Sequence, residues 1–232
     1  MKKIAFLILS TAFVFTKMSA QDSCSKYYPM VEGSSFEYTN YNKKGKIDGA
    51  TNYTVSSVTT ENSGTKATLD FKMSDKKGKE MFTSNYSFTC KDNVVKIDYQ
   101  SLFPAQMMQQ YGEMDIEMDI TGSDIELPND LSVGENLPDA NITIAMSMSG
   151  ININTSVNQT NRKVISQERI TTSAGTFDCM VLSETTKTKT MGANIEMNSK
   201  LWLAEGVGMI KNETYKKNGD LMSRIELTNY SK

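Results

Sequence analysis

Every second residue is apolar in the stretch Ile142-Thr143-Ile144-Ala145-Met146-Ser147-Met148, which is followed by a glycine at position 150. Successive side chains of a β-strand point to opposite faces of the sheet, so this stretch gives a strand one apolar and one polar face. The same period recurs in Ala67–Met73, Met114–Ile120 and other stretches along the chain. The pattern predicts an all-β protein whose antiparallel strands each turn one face towards a core.

Short polar turns that contain glycine separate these strands. Three of them are rich in lysine, namely Lys43–Lys46, Asp75–Lys79 and Lys216–Asp220. Glycine and Asn-Gly pairs supply the positive φ angles that hairpins require. The spacing predicts a single antiparallel meander of about 11–12 long strands, curled into a barrel or half-barrel. We interpret the lysines as solvated hairpin tips, with binding to an anionic surface as the alternative.

Two segments depart from the period of two. Residues 104–111 begin with Pro104 and are followed by Gly112, a pattern that predicts one short helix. The stretch from Leu127 to Asp139 contains two prolines and is predicted to be a long loop. Because the composition does not change across this loop, we expect residues 21–232 to form a single β-barrel-like domain.

The first twenty residues have the three parts of a secretory signal peptide. Lys2 and Lys3 precede a short apolar stretch, and Ser19-Ala20 supplies small residues before the expected cleavage site. The apolar stretch is too short to cross a bilayer comfortably, and no second candidate follows. We therefore expect residues 1–20 to be removed. The remaining chain is expected to be exported to the periplasm or the outside of a Gram-negative bacterium, without a transmembrane segment.

The composition argues against several classes of function. The 232 residues include no histidine, so the chain alone can form neither a Ser-His-Asp triad nor a His-ligated zinc site. Lys and Arg number 25 and Asp and Glu 27; removal of residues 1–20, with three lysines, leaves 22 against 27, a net charge of −5. This charge balance does not resemble the concentrated basic face that a nucleic-acid binder needs, so we do not expect nucleic-acid binding. We expect no cofactor and no catalytic residue.

Three cysteines, Cys24, Cys90 and Cys179, would meet an oxidising compartment after export. Cys90 alternates with Tyr86 and Phe88 on the core-facing side of a strand, whereas Cys24 lies in an irregular stretch that can reach a strand end. An odd number of cysteines permits at most one intrachain disulfide, and we favour Cys24–Cys90; whether Cys179 is free is left open. A catalytic thiol needs an electropositive and accessible setting, and we do not expect one here.

The sharpest local feature is a series of alternating acids, Glu113, Asp115, Glu117 and Asp119. Clustered carboxylates could bind calcium or supply the acid and base of a glycan hydrolase. A straight strand, however, spaces its same-side carboxylates about 7 Å apart, whereas calcium usually takes its ligands from a curved loop. We interpret these acids as the solvated face of a strand, so no metal site is predicted; calcium binding and hydrolysis remain alternatives.

Methionine is frequent on the apolar faces, and eleven of the sixteen methionines lie between Met107 and Met222. Thioether side chains adapt to irregular gaps and to ligands of varied shape. We predict that an apolar ligand binds to the curled sheet at a site formed by Ile144, Met146, Met148, Met197 and Trp202. An ordinary hydrophobic core and a methionine-only copper(I) site are the alternatives.

The stretch Leu201–Lys211, with the sequence LWLAEGVGMIK, resembles a signature of exported TapB-like proteins and of a related periplasmic family of unknown function. Ala174–Cys179, Cys24, Tyr27-Tyr28-Pro29 and Gly33 fit the same pattern. The resemblance implies an antiparallel meander that forms a partly open β-barrel, similar to the fold of lipoproteins tied to capsule or surface-polysaccharide export. It implies no catalytic residues.

These observations favour a non-enzymatic, exported cell-envelope protein that binds an apolar ligand such as a lipid, or a protein partner, on a curved β-sheet. Two alternatives remain open. One is a glycan-acting hydrolase that uses paired carboxylates, and the other is a structural or assembly accessory without a small ligand.

Overall fold

The structure is a computed structural model that describes residues 24–99, 116–148 and 150–232. Thirteen strands lie in these residues, and all of them belong to one antiparallel sheet. The strands are β1 Ser35–Asn42, β2 Ile47–Glu61, β3 Gly64–Asp75, β4 Glu80–Lys91, β5 Val94–Ile97, β6 Ile116–Gly122, β7 Ile125–Pro128, β8 Ala140–Met148, β9 Ile151–Thr172, β10 Gly175–Thr190, β11 Ala193–Ala204, β12 Gly208–Lys216 and β13 Leu221–Ser231.

The order of the strands in the sheet is β6-β8-β9-β10-β11-β12-β13-β1-β2-β3-β4-β5-β7. Most neighbours are consecutive in the chain, as in a meander, and the pairing of β13 with β1 joins the two ends of the described chain. The predicted all-β antiparallel meander is therefore confirmed, with thirteen strands where about 11–12 were expected. The short helix predicted at 104–111 lies outside the described residues.

The hairpin turns follow from local side-chain chemistry. The side-chain oxygen of Asn42 accepts hydrogen bonds from the backbone N–H groups of Lys44 and Lys46, at 2.9 and 3.3 Å. In the β3–β4 turn, Asp75 accepts from the amides of Lys77 and Lys79 in the same way, at 2.8 and 2.9 Å. Each of these two strands therefore ends at a short polar side chain that accepts hydrogen bonds from the turn amides. A glycine with positive φ follows in the turn.

Alternate turns of an antiparallel meander lie at opposite ends of the sheet. The β1–β2, β3–β4, β8–β9, β10–β11 and β12–β13 turns share one end, which we call the open end. The β2–β3, β4–β5, β9–β10 and β11–β12 turns share the opposite end, where residues 24–34 and 129–139 also pack, and we call it the closed end. There, the amide of Gly206 donates to the carbonyl of Lys26 at 2.6 Å, and the side-chain amide of Asn129 donates to the carbonyl of Cys24 at 2.6 Å.

One core cluster lies inside the sheet. It combines Val164 of β9 with Val95 of β5 and Leu127 of β7, although β9 is third and β7 last in the strand order. Side chains from distant strands can share a core only if the sheet curls round, so the thirteen strands form a half-barrel. Residues such as Phe88 and Leu227 fill it and are completely buried.

Residues 134–137 fill the gap between β7 and β9. The amide of Gly134 donates to the carbonyl of Val164 at 2.8 Å, and the amide of Leu137 donates to the carbonyl of Arg162 at 2.8 Å.

The prediction of a loop from Leu127 to Asp139 is wrong at its start, because the first two of these residues belong to β7. Pro128 is tolerated there because β7 is an edge strand.

Cys24 and Cys90 form a disulfide, with their Cα atoms 5.8 Å apart, as predicted from the sequence. The bond ties the N-terminal segment to the end of β4, at the closed end of the half-barrel. Cys179 is free and buried. Burial raises the pKa of its thiol to about 11.

Candidate functional site

A cavity of about 280 Å³ lies inside the half-barrel. Its lining is mostly aromatic and aliphatic, and consists of Tyr28, Pro29, Phe36, Tyr38, Tyr53, Leu69, Tyr86, Leu201, Val207, Gly208, Met209 and Asn212. These described lining residues include no carboxylate. Ligand pockets usually measure about 300–1,000 Å³ and have mainly apolar walls with a few polar groups. This cavity could therefore hold part of an apolar ligand.

Tyrosine hydroxyls supply most of the polarity of the cavity. The hydroxyl of Tyr38 donates to the carbonyl of Met209 at 3.0 Å. Burial raises the pKa of Tyr28 to about 12, and it also raises the pKa values of Tyr38, Tyr53 and Tyr86. All four hydroxyls consequently stay neutral near pH 7, so the cavity offers hydrogen bonds without charge.

Aromatic rings extend from the cavity towards the open end. The centroids of Tyr38 and Tyr53 are 5.6 Å apart, and Phe71 lies 5.7 Å from Tyr53 on the next strand. Phe82 continues the row at 5.7 Å from Phe71, and 40% of its surface is exposed. These spacings are typical of favourable aromatic pairs. The row forms an apolar path along β1 to β4 from the core to solvent.

A polar group interrupts the apolar surface on the β9–β11 side. Glu184 of β10 lies opposite Ser199 of β11. Ser199 is two residues from Leu201 on the same face of β11, in the direction of the open end. The hydroxyl of Ser199 donates to Glu184 at 3.2 Å, and Nε of Arg162 lies 3.5 Å from the same carboxylate. Arg162 is 5% exposed, so the positive charge of its guanidinium is buried inside the protein.

Four of the five predicted ligand residues share one face of the sheet with the cavity. Met197 is four residues from Leu201 on β11, so the two side chains point to the same side. Ile144 pairs with Thr155, which pairs with Thr190 of β10, and this register puts Ile144, Met146 and Met148 on that side too. The apolar residues on this face form what we call the apolar extension: Met118, Ile120, Ile142, Ile144, Met146, Met148, Ile151, Ile153, Val157, Ile195 and Met197.

The apolar extension differs from an ordinary core because none of its residues is fully buried. Met148 is 41% exposed, and Ile151 and Ile195 are 56% and 50% exposed. The interior of the half-barrel ends near Arg162, and β6, β8 and the first half of β9 continue beyond it. The extension is therefore an accessible apolar surface on the same side of the sheet as the cavity.

Trp202 is not brought together with the other four predicted residues. It is adjacent to Leu201, which lines the cavity, so its side chain points to the opposite face of β11. Its indole N–H donates to Glu168 at 2.8 Å, and Nζ of Lys211 lies 3.7 Å from the ring centroid. The hydrogen bond from Trp202 lowers the pKa of Glu168.

The cavity tyrosines were not among the site residues predicted from the sequence. Tyr38 alternates with Phe36 on β1, and Tyr53 alternates with Val55 on β2, which is the ordinary pattern of a core-facing strand. The sequence feature that could have identified them is the number of aromatic residues at these alternating positions. Nothing in that pattern shows that space remains between the rings.

The acidic series is only partly described. Glu117 and Asp119 are exposed on the face of β6 opposite Met118 and Ile120, whereas Glu113 and Asp115 lie outside the described residues. No group of three or more potential metal-ligating His, Cys, Asp or Glu side chains occurs in residues 24–99, 116–148 and 150–232. Within the same ranges, no helix has the length and hydrophobicity needed to cross a bilayer.

The model of the DUF3108-like family matches residues 31–227, which include nearly all of the sheet. The chain belongs to the DUF3108-like family. No curated protein matches this DUF3108-like chain.

Solved structures that resemble the DUF3108-like chain include the following two. A Bacteroides fragilis protein designated as exported and as having a YmcC-like fold has 19% identity and a TM-score of 0.69. A Parabacteroides distasonis protein designated as a lipoprotein has 24% identity and a TM-score of 0.71. Each match covers 90% of this chain and 100% of the other. At these identities the similarity shows a shared fold.

Proposed function

We propose that this DUF3108-like chain is a non-enzymatic, exported protein of the cell envelope that binds an apolar ligand, such as a lipid acyl chain. One observation carries the proposal: the cavity and the apolar extension lie on the same face of one sheet. An apolar chain could enter the cavity beside Leu201, pass the Glu184–Ser199 pair and continue over Met197 and Ile144. A protein partner with an apolar segment is the competing occupant of the same surface.

The chemistry of the two surfaces suits an amphipathic ligand. The cavity is too small for more than part of a long chain, so the remainder would lie on the apolar extension. Methionine side chains such as Met146 and Met197 can adjust to different chain shapes. The neutral hydroxyls of Tyr53 and Tyr86 could donate to an ester or carboxyl group without requiring a countercharge.

The proposed export rests on three observations. Residues 1–20 have the pattern of a signal peptide, although they lie outside the described residues. The Cys24–Cys90 disulfide is expected to persist only in an oxidising compartment. The two similar structures are designated as an exported protein and a lipoprotein. We further propose that residues 21–232 form a single domain and that Leu201–Lys211 reflects a narrower kinship with TapB-like proteins.

The ligand proposal is tested by titrating residues 21–232 with a fluorescent fatty acid. We expect the Asn212→Phe variant, which fills the cavity, to bind the probe at least tenfold more weakly than the native chain. Asn52→Phe is the matched control, because Asn52 is exposed beside Tyr53 and points away from the cavity. Circular dichroism and urea unfolding establish that both variants fold.

Native mass spectrometry of the chain purified from its own host provides the second measurement. A co-purifying lipid, lost in the Asn212→Phe variant, would support the proposal. Absence of any bound lipid, together with equal fluorescence titrations for the Asn212→Phe and Asn52→Phe variants, would overturn it.

A further inference from the structure

The open end of the half-barrel carries most of the exposed large apolar side chains. Of the twelve such side chains in the described part of the chain, nine lie on the turns or strand ends at this end of the sheet. They are Ile47, Met73, Met81, Phe82, Met148, Ile151, Met191, Ile195 and Met222. An apolar set concentrated at one end of a protein is typical of an interaction surface, whereas scattered single residues are not.

Lysines are concentrated at the same end. Ten of them lie on or beside its turns: Lys43, Lys44, Lys46, Lys76, Lys77, Lys79, Lys187, Lys189, Lys216 and Lys217. Seven acids lie in the same region: Asp48, Asp75, Glu80, Glu117, Asp119, Glu196 and Asp220. Glu80 forms a salt bridge with Lys72, whose Nζ lies 2.5 Å from a carboxylate oxygen of Glu80. The open end is therefore net basic although the whole chain has a net charge of −2.

The first residue of the β10–β11 turn, Met191, is unfavourable for the backbone conformation that this turn requires. Met191 has a φ of 43° and Gly192 a φ of 82°, so both residues of the turn are left-handed. Such turns favour Asn or Asp at the first position, and the β4–β5 turn uses Asp92 and Asn93 with φ values of 50° and 66°. Met191 is also 77% exposed, so neither the backbone nor burial within the chain accounts for methionine here.

We infer that the open end docks onto a lipid membrane whose surface carries anionic headgroups. Apolar tips such as Met191, Ile151 and Phe82 would enter the interfacial layer, and the lysines beside them would face the headgroups. This arrangement gives the methionine of the β10–β11 turn an apolar environment that the isolated chain does not provide. The inference goes beyond the proposed ligand binding and does not require an occupied cavity.

The docking is tested by flotation of residues 21–232 with vesicles of phosphatidylcholine, with or without phosphatidylglycerol. We expect the chain to float with the anionic vesicles, less with phosphatidylcholine alone, and less as salt is added because salt screens the lysines. Failure of the native chain to float with anionic vesicles at low salt would overturn the inference.

Two variants test the apolar and basic parts separately. Met191→Asn suits the left-handed turn and is expected to keep or raise the unfolding midpoint, yet to weaken binding to anionic vesicles several-fold. The double variant Lys76→Gln/Lys77→Gln is expected to weaken binding at least tenfold. Their matched controls lie at the closed end: Val133→Asn, at a residue that is 58% exposed, and Lys66→Gln/Lys91→Gln.

The controls are expected to bind vesicles as the native chain does. Equal binding by the open-end variants and their controls would contradict membrane docking. Analytical ultracentrifugation of Met191→Asn provides a further test: a loss of dimers without any change in flotation would assign the surface to a second copy of the chain instead. Fluorescent fatty acid binding in solution should be the same in all of these variants, so that failure of docking and failure of the proposed ligand binding are distinguishable.

Discussion

Nη2 of Arg162 donates a hydrogen bond to the backbone carbonyl of Glu126 at 3.1 Å. Arg162 lies on β9, third in the strand order, whereas Glu126 lies on β7, the last strand. Nη1 of Arg162 donates to the carbonyl of Pro138, and Nε lies 3.5 Å from Glu184. One buried guanidinium thus connects the edge strand β7, the following loop and the opposite wall of the half-barrel.

Replacement of this arginine should destabilise the fold. In Arg162→Met the carbonyls of Glu126 and Pro138 lose the guanidinium donor and the carboxylate of Glu184 keeps only Ser199, so we expect the free energy of unfolding to fall by about 3 kcal/mol. Urea unfolding measures it. Arg169→Met is the matched control, because Arg169 pairs with Asp178 on the exposed surface and should contribute little. Equal effects of the two substitutions would contradict a special role for Arg162.

Removal of the disulfide should lower the free energy of unfolding, because the disulfide restricts the conformations of the unfolded chain. Cys24 and Cys90 are separated by 66 positions, and the chain-entropy model assigns about 4 kcal/mol to closing a loop of that size. We expect Cys24→Ala/Cys90→Ala to unfold at a lower urea concentration than the native chain and to be insensitive to reductant. Cys179→Ala should retain its sensitivity to reductant, and the assignment fails if it does not.

Cys179 should not react in the folded protein. Burial raises the pKa of its thiol to about 11, and the thiol is fully buried, so at pH 8 it is both neutral and inaccessible. Only the thiolate attacks alkylating reagents. Mass spectrometry should therefore find no iodoacetamide adduct on the native chain and one adduct after unfolding in urea. Rapid modification of the native chain would show that the residue is accessible.

The hydrogen bond between Trp202 and Glu168 should be visible in a pH titration. This bond is the main cause of the lowered pKa of Glu168, and the hydroxyl of Ser166 adds a smaller effect. We expect NMR of the carboxyl carbon to show a rise in the pKa of Glu168 in Trp202→Phe and a smaller rise in Ser166→Ala.

The same bond should make stability depend on pH. A carboxyl with a lowered pKa stabilises the folded state above its unfolded pKa, and that stability is lost as the pH falls through the folded pKa. The difference in unfolding free energy between the native chain and Trp202→Phe should therefore shrink as the pH falls below the ordinary value of 4.5. A difference that stays constant in this range would mean that packing alone is responsible.

Much of the fold could be predicted from local patterns. The alternation in Ile142–Met148 and Ala67–Met73 predicted strands because a period of two is a property of the strand itself. The positions of the turns followed from glycine and short polar side chains, as at Asn42 and Asp75. Cys90 was expected to face the core for the same reason. These features depend on residues close together in the sequence.

The candidate site could be predicted only in part. Alternation put Met146, Met148 and Ile144 on an apolar face, but it does not show which strands meet on that face. Trp202 was predicted to lie with Met197 at the ligand site, although the two are five positions apart on β11 and so point to opposite faces. The cavity depends on the space left between rings from β1, β2 and β4, which is a property of packing.

The amino-acid sequence alone determined the strands, the hairpin turns and the side of each strand that is apolar, because these are set by backbone geometry over a few residues. Only the tertiary structure decided how the sheet curls and closes. Arg162 illustrates the reason: in the polar stretch Asn158–Lys163 it resembles a solvated charge. It becomes buried because residues 134–138 cross from β7 to β9 and cover it.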